Sequence, residues 1–138
     1  MDDPDRHYES TVEIRYSDLD TFGHVNNAVY ATLCEEARVD YFRDVLDLGV
    51  HEISFVVARL ELDYRKAIPD VGDVTIVVGI TDFGRTSFTM GYELRYADDV
   101  VATAETVQVA VDEEGSPIEV PTEWRDQVAA ARTRADDA

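Results

Sequence analysis

The chain predicts an α+β domain in which a curved five-stranded antiparallel sheet wraps around one long helix. Three observations lead there. From Asn27 to about Leu46 the apolar residues recur at three- and four-residue steps. Five other stretches alternate apolar and polar residues with a period of two. The four of these that follow the helix are joined by short runs of Gly, Pro and Asp, with no second long helix between them.

Each element can be read in order. Val12, Ile14 and Tyr16 share one face of a first strand, with Thr11, Glu13 and Arg15 on the other. Next comes the polar loop YSDLDTFGHVNN, residues 16–27. The helix of about five turns buries Tyr30, Leu33, Cys34, Ala37, Tyr41, Phe42 and Val45, with Asn26 or Asn27 as its cap and Gly49 just beyond its end. Val56, Ala58, Leu60, Leu62 and Tyr64 mark the second strand. A turn at Pro69–Gly72 leads to the third, with Val74, Ile76, Val78 and Ile80 on one face. Residues 82–85 turn into the fourth, which aligns Phe88, Met90, Tyr92, Leu94 and Tyr96. Residues 97–99 turn into the fifth, near 100–112, and a short closing helix near 122–133 follows Thr122. Consecutive strands with short connections are expected to pair with each other. The chain reads as a single domain over 1–138, with its core within about 9–112, and residues 1–8 and the final TRADDA polar enough to fray. A sheet with free edges and one covering helix is expected to pair with a second copy.

Charge narrows the partners. Thirty acids against twelve bases give −18, and Lys66 is the single lysine. Such a surface repels nucleic acid and anionic membranes, so neither is expected as a partner. The acids are spread along the whole chain, which suggests adaptation to high salt, where a Debye length of about 3 Å at 1 M relieves the self-repulsion. No apolar run reaches the roughly 18 residues of a membrane span, and the acidic N-terminus resembles no leader peptide; a cytoplasmic protein is expected. With one cysteine there is no internal disulfide, and Cys34 on the helix's apolar face reads as packing. G-x-S-x-G and the phosphate-binding glycine loops are absent, and Asp18, Asp20 and His24 fit no metal-ligand spacing, so no metal is expected.

The loop at 16–27 is where chemistry can be placed. Asp18 and Asp20 are two residues apart, so in an extended chain both carboxylates point the same way. Gly23 permits a positive φ. Asn26 and Asn27 open the helix, whose first amides lack helical partners and carry the positive end of its dipole. A carboxylate facing such amides suits acyl transfer, because the amides can hold a developing oxyanion. The same residues also suit a plain turn and helix cap, and the residues alone leave both readings open.

The motif D-x-D-x-x-G-H-V-N-N-x-x-Y, with Glu35-Glu36-Ala37-Arg38 on the following helix, resembles the opening of the hotdog-fold acyl-CoA thioesterases of the 4-hydroxybenzoyl-CoA thioesterase-like family. The resemblance continues through YRKAIPDVGDV at 64–74 and GRTSF at 84–88, and covers roughly residues 9–112. It implies a hotdog fold and hydrolysis of an acyl-CoA thioester to a carboxylic acid and free CoA. Asp20 is implied as the catalytic carboxylate, either nucleophile or general base, with the amide around Asn27 polarising the carbonyl. Many relatives carry an aromatic residue at the position of Asn27; the asparagine here resembles another branch. Asp18, Gly23, His24, Asn26 and Tyr30 are implied around the substrate, Asp18 as a brace and His24 as a structural or orienting group. Arg85, Thr86 and Ser87 are the first candidates for the CoA side, with Arg65 and Lys66 second. The resemblance implies no cofactor, since the CoA thioester is the substrate, and a homodimer or homotetramer with pockets between subunits. A hotdog module that binds acyl thioesters without cleaving them is the alternative; dehydration of a hydroxyacyl thioester is disfavoured, since its usual histidine-centred motif is missing.

Overall fold

Strand β1 (Tyr8–Ile14) turns Ser10 and Ile14 inward and Glu9, Thr11 and Glu13 to water, as its alternation requires. The computed structural model describes residues 6–49, 52 and 54–137. Residues 1–5 of the polar N-terminus and His51 lie outside the described residues. Tyr16 does not continue the strand: a 3-10 turn spans Tyr16–Asp18 and leaves Tyr16 85% exposed. The Asp18 carboxylate accepts the Arg15 main-chain N–H at 2.8 Å, which pulls the chain out of the extended form.

Helix α1 (Val29–Asp44) is shorter than its periodicity suggests. At its start, Asn26 accepts the Ala28 N–H on its side chain and the Val29 N–H on its carbonyl, so its turn precedes the helix. The end is set by Asp47, at φ 56°, rather than by Gly49; the Leu48 N–H folds back to the Phe42 carbonyl. Leu33, Cys34, Ala37, Tyr41 and Phe42 are buried as expected, and so is Arg38.

The remaining strands are β2 (Phe55–Tyr64), β3 (Gly72–Phe83), β4 (Ser87–Tyr96) and β5 (Asp99–Ala110), and helix α2 (Glu123–Asp137) closes the chain. All ladders are antiparallel and the order is β1-β3-β4-β5-β2. Two expectations fail here. β2 does not pair with β3: it lies at the far edge on β5, so residues 65–71 form a crossover and not a hairpin turn. Ile68, fully buried within that crossover, anchors it under the loop by accepting the Val25 N–H at 2.9 Å. The second correction concerns faces. A bulge at Ala58 breaks the β2–β5 register, so Phe55 and Val57, not Val56 and Ala58, share the inner face with Leu60, Leu62 and Tyr64.

Val74, Ile76, Val78 and Ile80 of β3 and Phe88, Met90, Tyr92 and Leu94 of β4 are fully buried against α1. The core reaches beyond residue 112, because α2 adds Trp124 and Val128. The Trp124 ring packs 5.4 Å from Phe88 and 6.4 Å from Phe42, sealing the end of the sheet where α1 stops. Among the described residues no helix is long and apolar enough to cross a membrane.

Two outcomes follow. Ile68→Ala should cost about 2–5 kcal/mol in denaturant unfolding, since it empties a fully buried site that joins crossover to loop. Cys34 is 1% exposed and burial pushes its thiol pKa up to about 12; a disulfide reagent at neutral pH should label it only on unfolding, and rapid native labelling would contradict this.

Candidate functional site

Residues 15–27 fold as a small hairpin pinned at both ends. Asp18 is 8% exposed and binds Arg15 twice, through the main-chain N–H and through Nη2 at 3.2 Å. Burial opposes its charge, but the Arg15 bonds and cation together outweigh that and hold the carboxyl below its usual value. Its carbonyl accepts the Asn26 N–H at 3.0 Å, fastening the start of the loop to its end. Asp18 is thus engaged within its own turn, in a 3-10 segment and not in the extended chain that would align the two carboxylates.

Beyond it, Leu19 and Val25 form an isolated antiparallel bridge, with the Asp20 N–H on the His24 carbonyl at 2.9 Å. The tip is a turn closed by the Gly23 N–H on the Asp20 carbonyl at 3.1 Å, and Gly23 takes φ 85°, a conformation that favours glycine. Asp20 Oδ1 accepts the Phe22 N–H at 2.9 Å, and Oδ2 lies 3.8 Å from His24 Nδ1. The His24 ring stacks on Phe22, which is 83% exposed. Asp20 and His24 therefore form one unit at the tip.

At the helix start the amides divide. Those of Ala28, Val29 and Tyr30 bond to Asn26 or Asn27. The Asn27 N–H has no hydrogen-bond acceptor among the described residues. The Asn27 carbonyl is held by the Tyr64 hydroxyl at 3.0 Å, and the Tyr64 ring meets Tyr30 edge-on at 5.0 Å. These groups border a cavity of about 280 Å³ lined by His24, Val25, Asn27, Tyr30, Tyr64, Arg65, Lys66 and Ala67.

The chain therefore gathers Asn27, Tyr30 and His24 with Arg65 and Lys66, while Asp20 reaches this cavity through His24. It does not gather Arg85, Thr86 and Ser87. Those lie past Phe83, at the other end of β3 from Gly72, which pairs with Ile14 beside the loop. Eleven residues of strand separate the two ends, about 36 Å along β3. There the Arg85 and Thr86 carbonyls accept from Val120 and Ala110, and the exposed Arg85 guanidinium faces Glu119 at 3.6 Å. One contributor had no role in the sequence reading: Tyr64 stands in YRKAIPDVGDV at 64–74, and its place as the last inward residue of β2 is the signal that could have found it. Among the described residues no three His, Cys, Asp or Glu side chains group to hold a metal.

Comparison with known proteins agrees with this architecture. Residues 14–131 match the family model of the thioesterase-like superfamily. The 1,4-dihydroxy-2-naphthoyl-CoA hydrolase of Synechococcus elongatus is 27% identical over 114 residues, 76% of this chain and 82% of the relative. The long-chain acyl-CoA thioesterase FadM of Escherichia coli is 34% identical over 61 residues, 42% of this chain. The chain spans about half the length of some curated relatives it matches, 46% of FadM among them. A Thermus thermophilus thioesterase solved with coenzyme A and Zn superposes with a TM-score of 0.78 at 34% identity, covering 91% of this chain and 95% of that one. One helix in a curved five-stranded sheet, with the family match across most of the chain, makes this protein a hotdog-fold member of the thioesterase-like superfamily.

Proposed function

We propose that the protein is an acyl-CoA thioesterase, releasing a carboxylic acid and free CoA from a thioester. The observation that carries this reading is the Asn27 N–H, which has no acceptor among the described residues while the next three amides are engaged. An N–H two residues before the start of α1, on a residue that lines a cavity, suits an oxygen that gains negative charge as the thioester carbonyl becomes tetrahedral. The plane of that N–H is held through the Asn26 carbonyl, which accepts the Val29 N–H at 2.9 Å, and the Tyr64 hydroxyl fixes the next plane through the Asn27 carbonyl.

Asp20 supplies the carboxylate in one of two ways. As nucleophile, its oxygen bonds to the carbonyl carbon, CoA leaves as the thiolate, and water then cleaves the mixed anhydride. As general base, it takes a proton from the water that attacks the carbonyl. His24, 3.8 Å away, orients the carboxylate in either case. Arg65 and Lys66 share a cavity with Asn27 and suit the phosphates of CoA; Arg85, Thr86 and Ser87 can join them only from a second copy.

A second reading, a module that binds acyl thioesters without cleaving them, draws on one observation. Asp20 is not on the wall of the cavity that Asn27 borders, and its Oδ1 is held within its own turn. A thiol-trapping assay separates the two: tight binding of CoA esters with no thiol released would favour the module.

Pairing of two or more copies belongs to the same proposal. β2 is an unpaired edge, with Val56, Val57, Leu60 and Tyr64 between 44% and 51% exposed. The net charge of −18 with a single lysine supports a cytoplasm of high salt.

Asp20→Asn should leave unfolding unchanged and lower turnover about 100- to 10,000-fold. Undiminished hydrolysis would remove Asp20 from the mechanism. After a single turnover in labelled water, label in the Asp20 carboxylate identifies the nucleophile; label in the product acid alone fits both the base and an anhydride opened at the substrate carbonyl, and trapping of an acyl-enzyme then separates these two. Sedimentation in molar KCl should give a dimer or tetramer, with stability falling as salt is withdrawn. A stable monomer at low salt would contradict both expectations.

A further inference from the structure

Lys66, the single lysine of the chain, borders the cavity at the helix start together with Arg65. The two cations are not equally available there. The Arg65 guanidinium has no hydrogen bond or ion pair among the described residues. Lys66 Nζ instead donates to Asp99 Oδ2 at 2.6 Å, with both side chains more than half exposed. Asp99 is not itself among the residues that line the cavity. The one lysine placed at an anion site is thus already neutralised by an acid of its own chain.

Main-chain geometry brings this pair together. The N–H groups of Arg65 and Lys66 both donate to the Val101 carbonyl, at 2.9 and 3.1 Å, and so fasten the start of the crossover to β5. Asp99 opens β5 and pairs with Tyr96 across a two-residue turn. The turn residues, Ala97 and Asp98, take φ 50° and 68°, and two left-handed residues match the twist of a tight hairpin. An alanine held there is uncommon, since its Cβ disfavours that region. At the far end of the crossover the Tyr96 hydroxyl donates to the Val71 carbonyl at 2.9 Å. The β4–β5 turn therefore grips the crossover at both ends and presents Asp99 to Lys66. A phosphate that takes Lys66 must displace this carboxylate and then lie beside it, like charge against like.

We propose that Asp99 is a specificity-determining residue that acts through Lys66. It serves the lysine as an internal counter-ion, so a phosphate on the thioester handle gains little from Lys66 and meets Arg65 as the available cation. The protein thereby discriminates weakly between handles with and without phosphate, and removal of Asp99 sharpens that discrimination. This deepens the reading of the cavity as a site for a CoA handle and rests on it, whether or not the thioester is then cleaved.

The test uses one acyl group esterified to CoA, dephospho-CoA or pantetheine, assayed by thiol release at the lowest KCl concentration that keeps the protein folded. Asp99→Asn should raise kcat/KM for the CoA ester about threefold, through KM and not kcat, the size expected for an exposed ion pair. The pantetheine ester, which has no phosphate, should show no such gain. A gain on the CoA ester alone places Lys66 at the 3′-phosphate; a gain on the dephospho-CoA ester as well places it at the pyrophosphate. In a Lys66→Met background Asp99→Asn should have no effect. A merely structural role would move all three esters together or change kcat, and either result overturns the assignment. So does an unchanged KM for the CoA ester, and so does a gain that persists without Lys66. Equilibrium binding of free CoA to the wild type, the two single variants and the double variant keeps the two readings apart. If no ester releases thiol, the thioesterase reading fails, while about threefold tighter CoA binding by Asp99→Asn alone still upholds the role of Asp99; equal binding overturns it.

Discussion

The withdrawal of one face of α1 from water against one face of the sheet governs everything else in this fold. Leu33, Cys34, Ala37, Tyr41 and Phe42 are each at most 5% exposed, and they meet the fully buried rows of β3 and β4. A helix of 16 residues has little stability alone, so this burial is what keeps it formed and fixes its direction. The loop that precedes it inherits that direction.

Precision at the loop comes from hydrogen bonds that tie it to its own ends and to the crossover. Asp18 holds Arg15 on one side and Asn26 on the other, and Val25 is anchored on Ile68. These bonds spend the polar groups of the segment on geometry, leaving the Asn27 amide and one oxygen of Asp20 least committed. A segment that must present a few groups in a fixed array needs many others to hold it. This explains why so short a stretch contains two acids, a histidine and two asparagines, and why capping and chemistry coexist in it.

The fold was legible because its main signals are local and periodic. Alternation identified the inward rows of β3 and β4, and the three- and four-residue steps found α1. Failures arose where a distant part of the chain decides. Nothing in residues 65–71 reveals that β2 pairs with β5, since a crossover and a turn use similar residues; the buried Ile68 is its distinguishing mark. The Ala58 bulge switches the face of Val56 and Val57 through register alone. Tyr16 and the end of α1 were misjudged because an Asp18 bond and a left-handed Asp47 stop elements whose patterns would continue. The carboxylate, the glycine and the asparagines of the loop were visible by type. Their division into brace, tip and helix start was not, because it depends on which amide each oxygen reaches.

The length of β3 has a genetic consequence. It sets the Arg85 turn and the Asp20 loop at opposite ends of one chain. On the pairing proposed above, a site that used both would draw them from different copies of the gene product. Two alleles, one damaged at each end, would then be silent alone yet complement each other in a mixed assembly, where half of the sites would regain an undamaged residue of each kind.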